Sequence, residues 1–144
     1  MKEDKKLTVV STFARDKILN AKGETLSEQR GGPAFYISKA LQQEGLNFNM
    51  INGDDMEVEI LVVKGGEYGR IRGDPEEKDI DFSFIKTPYL LISSLLNEYN
   101  LEGIKDYQGK VCLDIQGYVR EGNDFGKKKY CQIPREIQPF IFCL

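Results

Sequence analysis

The sequence predicts an α/β fold built on a partial parallel sheet with flanking helices. An apolar, β-branched run at Leu7–Phe13 is followed by a helical pattern from Pro33 to Glu44 and by a second apolar run at Phe48–Asn52. A strand, a helix and a strand in this order are typical of a right-handed crossover between parallel strands. Two further apolar runs, Tyr89–Ser93 and Val111–Ile115, extend the predicted sheet.

The predicted helix has clear boundaries. Gly31 and Gly32 precede Pro33, which suits the first helical position because the N–H it lacks would have no partner there. Gly45 follows the last helical residue and is a typical stop signal. The two glycines let the backbone approach a ligand closely, and we expect the free N–H groups at the helix start to favour an electron-rich group.

The segments between these elements carry weaker patterns. Val58–Val63 and Tyr68–Arg72 flank a glycine-rich turn, which favours a β-hairpin. The other predictions are a polar excursion over 17–30 with a short strand around Ile18–Leu19, an acidic solvated loop at Gly73–Asp79, a helix over 95–107, a helical turn at 134–139 and the opening of a strand at Phe140–Leu144.

Size and composition exclude several classes of protein. A chain of 144 residues with 40% hydrophobic and 30% charged residues is typical of one globular domain. The net charge of −3 does not indicate a broad basic surface for nucleic acid. We interpret Lys127–Lys129 as a solvated loop, with phosphate binding as the alternative. No apolar run reaches the roughly 20 residues that a membrane helix needs, so no membrane association is expected.

The spacing of the cysteines and the absence of histidine limit the kinds of catalytic and metal sites that the chain can form. The three cysteines lie far apart without a Cys-x-x-Cys pair, which indicates reduced thiols and a cytoplasmic protein. Cys112 falls inside a strand pattern and is predicted to be a core residue. The chain has no histidine, which removes histidine-based triads and the commonest zinc sites. We assign no metal ligands.

Several polar residues follow the predicted strands or open the helix. Asp16 follows the first strand, Gly53-Asp54-Asp55 follows the second, and Asp114 ends a later strand shortly before Arg120. The carboxyl ends of parallel strands share one edge of a sheet, where ligands bind. The alternatives are ordinary local roles: Asp16 and Asp114 as turn or strand-end carboxylates, Asp55 in a solvated turn and Arg120 as a surface arginine.

With Asp16, the Gly31-Gly32 helix start, Gly53-Asp54-Asp55 and the Asp114–Arg120 segment in this order, the chain resembles the ribokinase/PfkB carbohydrate-kinase family. The resemblance runs from about Leu7 to Arg120 and corresponds to the N-terminal, substrate-binding half of the family fold. It implies a single ribokinase-like domain over residues 1–144 with a small β lid formed by roughly residues 17–30 and 57–85.

The resemblance also implies a function. Family members transfer phosphate from ATP, with Mg²⁺, to a hydroxyl of a sugar or nucleoside. Asp16, Gly31, Gly32 and Asp54 are then substrate-binding residues, and Arg120 contacts phosphate. A carboxylate accepts hydrogen bonds from two hydroxyls, and glycine leaves room for a sugar ring against the backbone.

The chain departs from the family pattern in two places. Family members are about twice as long, and their later half carries a Gly-Ala-Gly-Asp-like segment with the anion hole and the catalytic aspartate. This sequence has no such segment, so we assign no catalytic residue and expect no kinase turnover from this chain alone. An asparagine that many members carry after the glycine pair falls near Phe35-Tyr36 here.

Three hypotheses follow for the protein as a whole. The first is the substrate half of a sugar kinase, arising from truncation or made to pair with a copy of itself or with a separate ATP-binding half. The second is a module that binds a polyol or nucleoside without ATP, and the third is an assembly subunit. Because a half sheet leaves an unpaired edge, we expect a homodimer or higher oligomer. The sequence does not choose among ribose, fructose, inositol, ketodeoxygluconate and nucleosides.

Overall fold

The computed structural model of the protein describes residues 4–119. The chain there forms a mixed α/β structure with one α-helix and two four-stranded sheets, in agreement with the predicted class. The elements are β1 (Leu7–Ser11), β2 (Ala14–Leu19), β3 (Thr25–Gly31), α1 (Pro33–Gln43), β4 (Phe48–Ile51), β5 (Met56–Val63), β6 (Gly66–Arg72), β7 (Lys78–Asp79), β8 (Tyr89–Ser93), β9 (Tyr99–Asn100) and β10 (Lys110–Asp114).

The first sheet is entirely parallel, with the strand order β10-β8-β1-β4. Leu7 lies opposite Phe48 on one side and Tyr89 on the other, which sets the register of β4, β1 and β8. The same register aligns Ser11, Ser93 and Asp114 at the carboxyl edge. The four strands predicted from apolar runs are therefore confirmed, with β1 ending two residues earlier than expected.

The main core covers one face of the parallel sheet. Its members alternate along β1 and β8, as a strand with one face toward the core requires, and the connections after β7 and β8 cover them. The cluster consists of Val10, Phe82, Leu90, Ile92, Tyr99, Leu101, Ile104, Tyr107 and Tyr118. Burying a large apolar side chain contributes about 1.5–3 kcal/mol, so this cluster anchors the sheet and the loops that follow it.

Helix α1 begins and ends where the sequence predicts. Pro33 occupies its first turn, and the residue before it, Gly32, has φ of 83°. At the other end Gly45 has φ of 68°, and its N–H bonds to the carbonyl of Gln42 at 3.1 Å. Leu46 closes the turn through an N–H bond of 2.9 Å to the carbonyl of Leu41, so a glycine beyond the last turn terminates the helix.

The second sheet has the order β3-β2-β5-β6 and joins two hairpins. The β2–β3 turn is fixed by Asn20, whose Oδ1 accepts the N–H groups of Lys22 and Glu24 at 2.9 Å each. The predicted β5–β6 hairpin is confirmed, with both strands longer than expected. A small core joins this sheet to the loop after β8; it contains Ala14, Ile71, Leu95 and Leu96, with Met56 and Val58 packed against them.

The polar excursion predicted over 17–30 is wrong, because most of these residues belong to β2 and β3, whereas the short strand predicted around Ile18–Leu19 is confirmed as part of β2. Arg15 and Lys17 alternate with Asp16 and Ile18 along β2, so both basic side chains lie on one face of this strand. Because these charged residues interrupt the apolar pattern, a search for apolar runs does not detect this strand.

The helix predicted over 95–107 is also wrong. The carboxylate of Glu98 accepts the N–H groups of Leu95 at 2.8 Å and Leu96 at 2.7 Å, which folds this stretch into a tight turn. The chain then forms the short strand β9, which pairs with β7 inside the predicted acidic loop. Gly103 has a φ of 82° and precedes a single 3₁₀ turn at Ile104–Asp106, where the sequence had predicted an α-helix.

Cys112 is exposed rather than buried, which corrects the prediction of a core residue. Its strand neighbours Val111 and Leu113 pack against the main core, so Cys112 points to the opposite face of the sheet. The predictions for Arg120, Lys127–Lys129, the turn at 134–139, the run at Phe140–Leu144 and the remaining cysteines lie outside the described residues. Within residues 4–119, α1 is far too short and too polar to cross a membrane.

Candidate functional site

Asp16 and Gly31 lie in direct contact on neighbouring strands. Asp16 is only 7% exposed, and β2 pairs with β3 so that Ala14 lies opposite Gly31. A Cβ atom added at residue 31 would overlap the carboxylate of Asp16. Glycine at this position therefore leaves the space in which the carboxylate sits. The sequence places these two residues on one site, and the structure brings them together.

The carboxylate of Asp16 has no protein partner in the described part of the chain. No side chain or backbone group of residues 4–119 donates a hydrogen bond to it or forms an ion pair with it. Its neighbours on the same face of the sheet are the apolar Ala14 and Val58 and the polar Gln29, which lies directly opposite it on β3. Burial raises the pKa of the Asp16 carboxyl above its ordinary value.

An unpaired and mostly buried carboxylate is costly to the fold. Nearly all buried polar groups in proteins have a partner, and ionisable groups with perturbed pKa values cluster at functional sites. The arrangement at Asp16 can accept hydrogen bonds from two hydroxyl groups of a ligand, because both carboxylate oxygens still have free lone pairs. This acidic group beside a glycine backbone is the chemistry that the sequence predicts for Asp16.

Gly32 has a structural role that accounts for its identity. Its φ of 83° and ψ of 160° are conformations that only glycine adopts readily. An added Cβ would lie 2.6 Å from the carbonyl oxygen of Thr12 and 2.7 Å from the amide nitrogen of Ala14. Gly32 therefore packs its backbone against the link between β1 and β2, which is the link that leads to Asp16.

The expectation of free N–H groups at the start of α1 is wrong for two residues of the first turn. Ala34 donates its N–H to the carbonyl of Thr12 at 3.0 Å. Phe35 donates its N–H to the carbonyl of Gly32 at 3.2 Å, and Pro33 has no N–H to offer. The helix start is therefore used to fix the turn, and a ligand gains little from these amides.

A buried polar cluster lies beside this turn and was missed by sequence reasoning. Thr12 donates its hydroxyl to Glu98 Oε1 at 2.5 Å and lies 2.8 Å from the hydroxyl of Tyr99. Tyr99 donates to the carbonyl of Ser11 at 2.6 Å and accepts the N–H of Gly53 at 3.3 Å. The incorrect helix prediction over 95–107 hid this cluster, since no spacing pattern marks Glu98 or Tyr99.

Asp54 lies at a different place from Asp16. It is exposed, as is Asp55, and both line a cavity of about 510 Å³ beside the link between β4 and β5. The lining residues are Thr12, Arg15, Gly53, Asp54, Asp55, Met56, Glu57, Arg72, Gly73, Asp74, Pro75, Glu76, Lys78, Glu98 and Tyr99. Neither Asp16 nor the glycine pair borders this cavity, whereas Thr12, Glu98 and Tyr99 do.

Asp114 lies at the carboxyl edge of the sheet, as predicted, but its carboxylate is used locally. It accepts the hydroxyl of Ser93 and the N–H of Gln116, each at 3.0 Å. This geometry favours the interpretation of Asp114 as a strand-end carboxylate. Among residues 4–119, no group of three or more acidic or cysteine side chains is placed to hold a metal ion. Arg120 lies outside the described residues.

The charged face of the second sheet forms a short ladder of ion pairs. Lys17 lies 2.9 Å from Glu57 and lowers the pKa of that carboxyl. The buried Glu59 is bound by Arg70 and, at 3.0 Å, by Arg72. These pairs lie on the face opposite Asp16, since the two sets of residues alternate along β2 and β5. They stabilise the sheet and leave the face that carries Asp16 free of cations.

Comparison with known proteins identifies the fold. Neither protein-family models nor the sequences of curated proteins match this chain. A pyrophosphate-dependent kinase in the ribokinase family, solved as a sulfate complex, matches with a TM-score of 0.53 and 13% identity, over 83% of this chain and 54% of its own. A pyrophosphate-dependent kinase in the ribokinase family, complexed with a pyrophosphate analog and myo-inositol, gives 0.51 and 14%, over 86% and 53%.

The chain spans about half the length of these two structures. At such low identity the likeness is one of architecture, and it agrees with the parallel sheet, the second four-stranded sheet and the glycine-initiated helix described above. The protein has a ribokinase-like α/β fold.

Proposed function

We propose that this chain is the substrate-binding half of a carbohydrate kinase. In this proposal the carboxylate of Asp16 accepts hydrogen bonds from two hydroxyl groups of a sugar or nucleoside. The glycine backbone at Gly31 and Gly32 borders the ligand, and the sheet formed by β2, β3, β5 and β6 acts as the lid. The observation that carries the proposal is the unpaired, mostly buried carboxylate of Asp16 on a ribokinase-like fold.

The substrate class follows from the chemistry of the site. A single carboxylate with no cation beside it favours neutral, polyhydroxylated compounds over anionic ones. One of the two similar structures is described as a complex with myo-inositol, which supports a polyol as the first ligand to try. Asp54 then contributes from the neighbouring loop rather than from the same pocket.

The described residues offer less support for a site that binds the phosphoryl donor. Residues 4–119 contain no acidic cluster that fits Mg²⁺, and the first amides of α1 already have protein partners. The described residues thus account for the acceptor side of a phosphoryl transfer. The donor, ATP by the family resemblance, needs groups beyond them, with Arg120 as the proposed phosphate contact. Both similar structures are named pyrophosphate-dependent kinases, so pyrophosphate is the second donor to test.

An oligomer remains part of the proposal. Both outer strands of the parallel sheet, β4 and β10, lack a second pairing strand within residues 4–119. Exposed edges of this kind favour pairing with another chain. Light scattering at micromolar concentration tests this, with a homodimer or higher oligomer expected and a stable monomer contradicting it. The proposed cytoplasmic location rests on the reduced thiols expected from the cysteine spacing.

The experiment for the function is titration calorimetry with the purified chain. The panel contains myo-inositol, D-ribose, D-fructose, ketodeoxygluconate, adenosine, ATP and pyrophosphate. Saturable heat from at least one polyol or nucleoside, without a donor present, is the expected result. Binding of no member of the panel contradicts the proposal and leaves an assembly role as the alternative. Binding of ATP or pyrophosphate alone would place the donor site, rather than the acceptor site, on this chain.

A further inference from the structure

A cluster of three buried polar side chains ties the carboxyl edge of the parallel sheet to the two loops that carry the predicted site residues. Thr12 is 1% exposed, Tyr99 is 1% exposed and Glu98 is 5% exposed. Each comes from a different position: Thr12 from the link between β1 and β2, Glu98 from the turn after β8, and Tyr99 from β9. None of the three follows from the family resemblance.

We infer that Glu98 and Tyr99 are positioning residues, which hold Thr12 and thereby fix the Gly31–Gly32 turn beside Asp16. The inference rests on the proposed function only for its ligand-binding readout. Neither side chain needs to touch the ligand, since each acts through Thr12 or through the loop at Gly53.

The first link runs from Glu98 to the glycine turn. Glu98 Oε1 accepts the hydroxyl of Thr12 at 2.5 Å while the same carboxylate is anchored by the N–H groups of Leu95 and Leu96. The carbonyl of Thr12 accepts the N–H of Ala34 at 3.0 Å and lies against Gly32, where no Cβ fits. A shift of Thr12 therefore moves the backbone that surrounds the Asp16 carboxylate.

The second link runs from Tyr99 to both loops. Its hydroxyl lies 2.8 Å from the Thr12 hydroxyl and donates to the carbonyl of Ser11 at 2.6 Å. It also accepts the N–H of Gly53, the residue that precedes Asp54. One phenol thus bridges the end of β1 and the loop after β4. The distance between the Asp16 site and the Asp54 loop depends on this bridge.

Burial explains why the cluster acts as a unit. The hydroxyl proton of Thr12 goes to Glu98 and that of Tyr99 goes to the carbonyl of Ser11, so the 2.8 Å contact between the two hydroxyls has no proton of its own. Removal of one member leaves a desolvated partner without a hydrogen bond, which is more costly than the loss of the bond itself. The three side chains therefore depend on one another.

The chain offers matched controls for both hydroxyls. Thr8 lies in β1 at the opposite edge of the sheet, and its buried hydroxyl lies 2.8 Å from that of Thr87. Tyr107 is also buried there and donates to the carbonyl of Thr87 at 2.7 Å. Substitutions of Thr8 and Tyr107 therefore remove buried hydroxyl groups with fewer contacts, at the opposite edge of the sheet.

The experiment compares Thr12→Val with Thr8→Val and Tyr99→Phe with Tyr107→Phe. For each variant, unfolding in urea and the affinity for the polyol that the wild type binds are measured. We expect every variant to lose stability, Thr12→Val and Tyr99→Phe more than their controls because each removes more contacts, but a loss of affinity of at least about tenfold only for these two. Glu98→Gln follows the same pattern, and Thr12→Ser, which keeps the hydroxyl, restores affinity. Equal affinities within each pair overturn the inference.

A second readout needs no ligand. Amide hydrogen exchange is followed at Ala34 and Gly53 by NMR. We expect faster exchange of Ala34 in Tyr99→Phe and of Gly53 in Thr12→Val, although in each variant the altered side chain does not contact the amide that is followed. Exchange no faster than in the Tyr107→Phe and Thr8→Val controls contradicts the inference. If the wild type binds no polyol, the proposed function fails, and the exchange rates still decide whether these residues position the two loops.

Discussion

The carboxylate of Asp16 fills the space that a side chain at Gly31 would need. The acid and the glycine are therefore one structural feature, although fifteen positions along β2 and β3 separate them in the sequence. Asp16 is 7% exposed, and its carboxylate has no protein partner among residues 4–119. The fold tolerates this arrangement at a cost, which a ligand that supplies hydrogen bonds would offset.

Gly31→Ala is expected to displace the Asp16 carboxylate, because the new methyl group would overlap it. We expect a loss of polyol affinity of about tenfold or more and a loss of stability of about 1–3 kcal/mol from overpacking. Calorimetry and urea unfolding measure the two effects. The control is Gly69→Ala in β6, where an added methyl group has nothing within 4 Å. A Gly31→Ala protein that binds as well as the Gly69→Ala protein would show that the contact is unimportant.

The stability of the protein should carry a pH-dependent contribution from Asp16. Burial raises the pKa of this carboxyl above its value of 3.8 in the unfolded chain, so the folded state binds more protons in the interval between the two values. The contribution of Asp16 to stability is therefore largest below pH 3.8 and is lost as the pH rises through the pKa of the folded state.

The Asp16→Asn variant lacks this contribution. Relative to the wild type, it should gain stability as the pH is raised from 4 to 8, and urea unfolding at several pH values measures the difference. The exposed carboxylate of Asp106 provides the control, since Asp106→Asn should show no comparable trend. A constant difference between Asp16→Asn and wild type across this range would mean that Asp16 is not desolvated.

Glu59→Gln is expected to weaken the second sheet. Glu59 is 6% exposed and holds both Arg70 and Arg72, which lose their counter-charge in the variant. Because both arginines retain contact with solvent, we expect a loss of about 1–3 kcal/mol, less than for a fully buried pair. Urea unfolding measures it, with the exposed Glu67→Gln as the control. Equal unfolding midpoints for the two variants would show that these ion pairs do not stabilise the second sheet.

Cys112 should react with a thiol reagent in the folded protein, because its side chain points away from the main core. Mass spectrometry of the labelled peptide is expected to show modification at a rate close to that of an unfolded control in urea. Strong protection in the folded protein would mean that this face of the parallel sheet is covered, by another part of the chain or by a second copy.

Much of the parallel sheet could be predicted from the sequence, because β1, β4, β8 and β10 are apolar runs with a clear period. Pro33 and Gly45 likewise marked the ends of α1. The second sheet was harder to predict, since charged residues such as Arg15 and Lys17 occupy one face of β2. A search for apolar patterns does not reveal ion pairs between strands, and the residues of the charged face form such pairs.

The candidate site was predictable only in part. Asp16 and the glycine pair followed from residue type and order along the chain, and the structure places Asp16 in contact with Gly31. Thr12, Glu98 and Tyr99 did not, because their cluster depends on residues 86 and 87 positions apart that meet only in the folded protein. Asp54 follows β4 at the expected edge, but it lines a cavity that Asp16 does not border.

The most direct test of the central claim is calorimetric titration of the wild type, Asp16→Asn and Asp106→Asn with the same polyol, myo-inositol first. A carboxylate that binds two hydroxyl groups predicts a loss of affinity of about tenfold to a hundredfold for Asp16→Asn, with Asp106→Asn unchanged. Equal affinity of all three proteins would contradict the assignment of Asp16 as the hydroxyl-binding residue.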